Sequence, residues 1–502
     1  MHKPDNAATL VLHTESVDIA ALDTQQREWL YCGLDAGVTV GVCAKLLPMI
    51  EGREDCAAVY AFERWLQAPA MVMQMRGIRI NRDEQEEIVK ELRSRGKTLQ
   101  RELEALGRKL LGGAEWGGFR YIKALAPHTS QVQKLLGLAG ITVPMSRDGK
   151  PTADRQALER IGKRSPRAKP LCDTLALLRD LEKQIEALCG GLGPDGRMHY
   201  MLNVGQTETG RWSSSQDVFK RGVNIQNQDE RVRAMYVPDP GWEMFTFDQA
   251  QAESCNIAYL AGDEAYIEAH LRGNVHVEAA RLFWPGLGRD ASGDVAVDKA
   301  MLKMTPVPWI KQPPVGPGKA PAASYYDMSK RAQHGLNYGL TKFGLAIWLG
   351  CKQEEAARLR AAYFGRFSRL PDYHAWIRGQ LKTVGALWTP LGRYREFFAR
   401  VWDEATVREA LAHVPQSLTS DITKIMLARI WWELEPRGLV QLFSDQHDGG
   451  HGQWPIARRD EAQAAIAALC RVPVAVTDPW GTTREMVVPV EIKAGRNWRD
   501  LK

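Results

Sequence analysis

The sequence predicts an α+β protein. Two observations carry this. Amphipathic helical stretches fill most of residues 60–190 and return between residues 251 and 434. Strand-like apolar runs occur only in the middle of the chain and near its end. Strands separated by a long helical block suit a small sheet with helices set apart from it, rather than regular βαβ alternation.

In order along the chain, Ala36–Leu47 reads as one helix, preceded by Tyr31 and Asp35 four residues apart. Ala57–Met75 is apolar and helical, and Gly77 stops it before a short extended piece, Ile78–Ile80. Asn81 is placed to cap a long helix over Arg82–Leu111. Its apolar stripe is Ile88, Leu92, Leu99, Leu103, Leu106 and Leu110. Eight Lys and Arg against four Glu between Glu91 and Lys123 make this arm basic. Such an arm suits a phosphate backbone, although a solvated helix face has the same composition. Ser130 and Gln131 open a short helix to Leu136, and 165–190 gives another amphipathic one. Gly190–Gly196 is a turn cluster and a subdomain boundary.

Residues 197–250 read as extended, ending in the run Met244–Asp248. Residues 251–283, 326–349, 353–380 and 403–434 read as helical, the last with Ile422, Ile425, Met426 and Ile430 on one face. Six prolines between Met304 and Pro321 make that stretch a long loop. Leu439–Gly450 reads as a strand entering a tight turn, and Met486–Ile492 as the last strand.

Composition bounds the function classes. The 502 residues are 44% hydrophobic and 25% charged, ordinary for a soluble globular chain. The net charge of +6 permits a polyanionic partner without requiring one. Eight scattered cysteines contain no C-x-x-C pair, which excludes that zinc or redox motif and suggests free thiols. The N-terminus opens no apolar leader and no run reaches membrane-spanning length, so a cytoplasmic protein without a membrane partner is expected.

Three stretches carry chemistry. Asp248 closes a strand, with Glu253 five residues on. Lys330, His334 and Tyr338 fall at i, i+4 and i+8, one stripe of a helix, where a cation, an imidazole and a phenol suit a phosphate with a sugar or base. Gly335 in that helix suggests close approach of a backbone or ligand. Asp448, after His447 and before Gly449–Gly450, lies at a strand turn. Taken singly, each has a plainer explanation: a cap, a polar helix face, a hairpin turn. Together, two strand-end carboxylates on adjacent strands would suit two Mg²⁺ ions and an in-line phosphoryl transfer.

In that order and spacing the chain resembles the family A DNA polymerases, the DNA polymerase I type, from about residue 60 to its end. Thr207–Ser215 resembles the segment T-x-T-G-R-x-S-S, and Asn224–Asn227 the L-Q-N that follows. Asp248–Glu253 resembles motif A, Asn274–His276 the D-I-H, Lys330–Gly339 motif B, and His447–Asp448 motif C. Arg408 and Pro415–Ile422 resemble the R…M-Q-G-T-A-A-D-I helix, and Val490–Trp498 echoes the family's C-terminus.

The resemblance implies a right-hand polymerase with an antiparallel-sheet palm and helical fingers and thumb. Its parts are thumb 60–195, palm 196–262 and 401–502, and fingers 263–400. It implies a DNA-directed DNA polymerase that takes primer–template DNA and dNTPs. It implies two Mg²⁺ ions on Asp248 and Asp448, assisted by the Gln249 carbonyl. Glu253 would be the gate against a ribose 2′-OH. His276 and Lys330 would meet the triphosphate, with Lys330 protonating the pyrophosphate. His334 stands at the stacking position and Tyr338 beside the templating pair. Arg211, Arg408 and Gln416 would touch the minor groove, and His447 the primer end. A single-subunit RNA polymerase, or a polymerase fold kept only for binding DNA, are the rival readings.

The chain departs from the pattern at three places. Tyr326 stands where an Arg is expected, so a triphosphate contact is missing or moves to Lys319 or Arg331. Gly449 replaces the Glu of motif C. Residues 1–59 match only the tail of a 3′–5′ exonuclease domain, through Tyr31 and Asp35. No proofreading is expected from this chain alone, and a separate exonuclease or replisome subunit is a partner left open.

Overall fold

In the computed structural model the described residues are 21–501, apart from 114, 122–124, 146–148, 150, 191, 218–220, 291, 311–320, 322, 399 and 447. Contacts divide the chain into two compact units. One comprises Met1–Gln67, Gln251–Asp421 and Pro473–Val488; the other comprises Ala68–Ala250, Ile422–Val472 and Pro489–Lys502.

The second unit holds a four-stranded antiparallel sheet in the order β12-β5-β9-β8. These strands are β5 (Trp242–Gln249), β8 (Gln441–Gln446), β9 (Gly449–Pro455) and β12 (Val490–Gly495). β5 is central, and Met244, Phe245 and Phe247 on it are fully buried. Phe245 stacks on Trp454 of β9 with ring centroids 4.7 Å apart. The sheet register opposes Asp248 to Gly449 on one side and to Glu491 on the other.

The same unit carries a helical core built by α4 (Arg82–Leu111), α5 (Thr129–Leu138), α6 (Arg155–Arg164) and α7 (Lys169–Gly190). Asn81 caps α4 by accepting the Glu84 N–H, as its sequence position predicts. Leu103, Leu135, Leu171, Leu175 and Leu178 pack into one cluster. The α4 stripe is therefore a core face, and its basic side chains lie on the remaining faces.

The first unit is mostly helical. It contains α9 (Ala252–Leu260), α10 (Glu264–Leu271), α11 (Val275–Phe283), α12 (Val295–Met304), α13 (Tyr325–Asn337), α14 (Lys342–Leu349), α15 (Gln353–Arg366) and α16 (Arg369–Thr383). The helix α17 (Glu404–Leu434) runs across the division at Asp421. Asn256 Nδ2 donates to the Pro415 carbonyl and to Thr419 Oγ1, at 3.0 and 2.8 Å, holding α17 where Pro415 interrupts its hydrogen bonding.

Several sequence expectations are corrected. The first described helix, α1, runs Thr24–Glu51, far beyond Ala36–Leu47. It starts early because Asp23 and Gln26 form a capping box. An 18-residue window within α1 has mean hydropathy 1.4, so by length and composition this helix is long and apolar enough to cross a membrane. The apolar run was missed because Asp35 and Lys45 interrupt it. No residue of α1 is buried. The stretch 57–75 is two helices, α2 (Glu54–Trp65) and α3 (Gln67–Arg76). The helix from 130 begins at Thr129 with His128 as its cap. The last strand is two, β11 (Thr483–Val487) and β12, because Pro489 cannot donate to a ladder. The pair β10 (Pro473–Thr477) and β11, the helix α18 (Arg459–Leu469) and the strand β9 were not anticipated.

Candidate active site

The sheet unit places the two carboxylates side by side. Asp248 ends β5, and Asp448 lies in the turn from β8 to β9, where its carbonyl accepts the Gln249 N–H at 3.0 Å. The two side chains share a hydrogen bond. Loss of water and then the like charge of Asp448 push the Asp248 carboxyl up to about 7; Lys493 opposes the shift and Glu491 adds to it. Two carboxylates this close repel each other when both are charged, and a divalent cation relieves that repulsion.

Among the described residues no group of three or more His, Cys, Asp or Glu is arranged to hold a metal. The available donor set is two carboxylates and a main-chain oxygen. That set fits Mg²⁺, which takes few protein ligands and completes its shell with water and substrate phosphate. The Gln249 side chain is not part of it: it is buried, and its Nε2 donates to Thr423 Oγ1 at 2.7 Å.

Gly449 explains the missing motif C glutamate. A Cβ at this residue would lie 2.0 Å from the Phe247 carbonyl oxygen and 2.9 Å from the Asp248 Cα. β5 and β9 approach too closely here for any side chain. Gly452 is similarly confined, 2.4 Å from the Gln441 carbonyl.

Behind the pair, buried polar groups tie β8 to the segment 207–227. Gln226 Nε2 donates to Asp445 Oδ1 at 2.9 Å and to the Trp212 carbonyl at 3.1 Å. Burial pushes the Asp445 carboxyl up to about 6, against the pull of Gln226 and Lys424. The Arg211 carbonyl accepts from Thr207 Oγ1 at 2.6 Å. Asp445 and Lys424 were missed; each lies within three residues of a recognised motif position, and only the fold shows that they are buried together.

The helical unit assembles the second set. Ser324 caps α13 by accepting the Asp327 N–H. Lys330, His334 and Tyr338 then fall on one face, as their spacing predicts; Lys330 and His334 are exposed, and Tyr338 closes the helix. The His334 and Tyr338 rings meet edge to face at 4.9 Å. Tyr338 Oη donates to Glu253 Oε2, and His334 Nδ1 lies 3.9 Å from the same oxygen. Glu253 is thus held by the helix that carries the Lys330, His334 and Tyr338 stripe.

Gly335 has a packing reason: a Cβ there would lie 2.6 Å from Leu340 Cδ2. The neighbour is a side chain, not the backbone or ligand expected. Gln251 was also missed. It has φ 57°, the sole non-glycine positive φ among the described residues. Its Oε1 accepts the Val275 N–H at 2.9 Å, binding the start of α9 to α11. A residue in the left-handed region is thus held by a contact from outside its own turn, just ahead of Glu253.

His276 is 7% exposed on α11, with Nδ1 against Gln333 Oε1. Burial first, then the positive fields of Lys330 and Lys299, bring its pKa down to about 4 against the Gln333 hydrogen bond. Tyr326, in place of the expected Arg, presents its ring edgewise to His276 at 5.8 Å. Lys303 Nζ lies 5.4 Å from the Tyr326 ring centroid. Positive charge therefore stands beside Tyr326, contributed by α12. Arg331 is exposed on α13, whereas Lys319 and His447 lie outside the described residues. Arg408 is exposed and Gln416 half-buried on α17, and Arg211 is half-buried in the sheet unit. Tyr31 and Asp35 are exposed on α1.

A family model described as DNA polymerase family A matches residues 323–500. The thermostable DNA polymerase I of Thermus filiformis is 26% identical over 350 residues, covering 67% of this chain and 37% of that protein. DNA polymerase I of Mycobacterium tuberculosis is 27% identical over 361 residues, covering 69% and 35%. The chain thus spans little more than a third of the length of these relatives. The solved POL domain of Pol1 from M. smegmatis, in complex with DNA primer-template and dNTP, matches with TM-score 0.65 and 21% identity. It covers 100% of this chain and 80% of that one, which establishes the fold.

Proposed function

We propose that the chain is a DNA polymerase of family A, whose model matches residues 323–500, and that it extends a primer 3′-OH with dNTPs on a DNA template. The observation that carries the reading is the Asp248–Asp448 carboxylate pair, on adjacent segments of one antiparallel sheet. Asp248, Asp448 and the Gln249 carbonyl would hold two Mg²⁺ ions, which when bound supply electrostatic stabilisation of the attacking and leaving oxygens.

The chain's own residues do the rest. In the reaction the primer 3′-OH loses its proton to water, a bond forms between the 3′-oxygen and the α-phosphorus, and the bond to pyrophosphate breaks. Lys330 gives the leaving pyrophosphate its proton. His276 and Lys330 receive the triphosphate. Glu253, held by Tyr338, closes the space a 2′-OH would occupy. His334 stacks at the nucleotide, and Tyr338 lies beside the templating pair. Arg211, Arg408 and Gln416 read the minor groove, whose acceptors are common to all base pairs, and His447 steadies the primer end. Residues 60–195 serve as thumb, 196–262 and 401–502 as palm, and 263–400 as fingers. Residues 1–59 are the end of an exonuclease domain that cannot proofread alone, since they match only the motif of Tyr31 and Asp35 and one motif carboxylate cannot hold two metals. The exposed apolar side chains of α1, among them Trp29, Tyr31 and Val40, support a separate exonuclease or replisome subunit as a partner. The cytoplasm of a prokaryotic or phage-infected cell is the proposed location.

The test is a primed template with dNTPs and Mg²⁺. Template-directed elongation with pyrophosphate release is expected, and preference for rNTPs or absence of elongation would refute the reading. Degradation of a mismatched primer would refute the absence of proofreading.

A further inference from the structure

We infer that Gln333 is a positioning residue that sets the tautomer of His276, so that binding a nucleoside triphosphate there takes up one proton from solvent. The inference rests on the proposed role of His276 as a triphosphate contact.

Gln333 lies to the buried side of the Lys330, His334 and Tyr338 stripe on α13, and it is fully buried. Its amide stands between two groups. Oε1 faces His276 Nδ1, and Nε2 donates to Tyr266 Oη at 3.1 Å. The orientation of that amide follows from counting protons further along. Asn337 Nδ2 also donates to Tyr266 Oη, at 3.0 Å. Tyr363 Oη donates its one proton to Asn337 Oδ1 at 2.7 Å and lies 3.0 Å from Tyr266 Oη. The Tyr266 proton is then free to bridge to Tyr363, and the Tyr266 oxygen accepts both amides. Every member is satisfied. Turning the Gln333 amide over would draw the Tyr266 proton towards Gln333 and leave the single Tyr363 proton to serve either Tyr266 Oη or Asn337 Oδ1, but not both.

With Oε1 towards His276, the shared contact needs a proton on Nδ1. A neutral imidazole so arranged carries a bare lone pair at Nε2. A phosphate oxygen is also an acceptor, so Nε2 meets it favourably only after gaining a proton. The charged and titratable groups around His276 oppose that gain in the free protein. They are Lys330 and His334 on α13, Lys299 on α12, and His270 on α10. Tyr326 adds a ring edge, with Lys303 above it. A triphosphate brings several negative charges and reverses this balance. Ser329 Oγ donates to the His276 carbonyl at 2.9 Å, so the backbone of His276 is fixed to the helix that carries Gln333.

The test is calorimetry of dATP binding at pH 6.5 to the full chain on a dideoxy-terminated primer–template with Mg²⁺, in buffers of different ionisation enthalpy. His276→Gln serves as the baseline for protons exchanged by the nucleotide and the metal. Wild type is expected to take up close to one proton more than this variant. Gln333→Leu frees the imidazole to carry its single proton at Nε2, and the excess should fall by at least half. Gln333→Glu, which keeps a buried acceptor, should charge His276 before binding and move the rise of dATP KM to higher pH. Binding without excess uptake in wild type, or uptake unchanged in Gln333→Leu, would overturn the inference and leave the polymerase reading intact. Absence of dATP binding to wild type would sink both.

Discussion

Gly449 makes the geometry of the carboxylate pair testable by one added carbon. A Cβ at this position would stand 2.0 Å from the Phe247 carbonyl oxygen, 2.9 Å from its carbonyl carbon and 2.9 Å from the Asp248 Cα. Tolerated C···O contacts begin at about 3.3 Å. The two strands must therefore part by more than about 1 Å, between the residue before Asp248 and the residue after Asp448. Overpacking of this kind costs about 1–3 kcal/mol. Misplacing reacting groups by about 1 Å costs roughly 10²-fold in rate. Gly449→Ala is thus expected to lower Tm by several degrees and kcat for primer extension by about 100-fold. Gly449→Glu, which restores the family's motif C, is expected to be at least as harmful. Gly137→Ala is the control, because a Cβ there meets nothing within 4 Å. Thermal denaturation and single-nucleotide incorporation read both effects. If Gly449→Glu matched wild type in Tm and kcat, the close approach of β5 and β9 would not be what excludes the glutamate.

Three further outcomes follow from named contacts. Arg393 bonds Asp421 at 2.6 Å and Glu63 at 2.5 Å, with its side chain 11% exposed, so Arg393→Met takes the guanidinium away from two carboxylates. About 3–5 kcal/mol of stability should be lost in denaturant unfolding, and a loss below about 1 kcal/mol would contradict a buried network. Asp445 has its pKa raised to about 6 by burial, above an unfolded value near 3.9. Its folded form therefore binds more protons between about pH 4 and pH 6, and wild type loses stability as pH rises through that window. Asp445→Asn removes that loss, so its Tm relative to wild type should be higher at pH 7 than at pH 4.5; an unchanged difference would refute the assignment. Glu253→Ala should narrow the preference for dNTP over rNTP by at least tenfold in kcat/KM, and unchanged discrimination would remove Glu253 from the gate.

What was legible in the sequence was local. The Asn81 cap, the span of α4 and the Lys330–His334–Tyr338 stripe depend on neighbours within a few turns, and periodicity reports those well. The strand ending at Asp248 was legible for the same reason. The glycines after Asp448 were read as part of a hairpin turn. They are the start of β9, and their need for glycine comes from Phe247, some 200 residues earlier. Gln333 lay inside a recognised motif, yet its partners His276 and Tyr266 belong to other helices. Gln251 gave no local signal, because a positive φ at a glutamine is imposed by what holds its side chain. Long-range contacts assign these roles, and residue type alone does not.

The account stands most directly on Asp248. Primer extension and primer–template binding should be measured on the same preparations of wild type and Asp248→Ala. Mg²⁺-dependent extension by wild type, abolished in the variant while DNA binding is kept, is the predicted result. Extension that survives in Asp248→Ala, or a wild type that binds DNA and never extends it, would contradict the account.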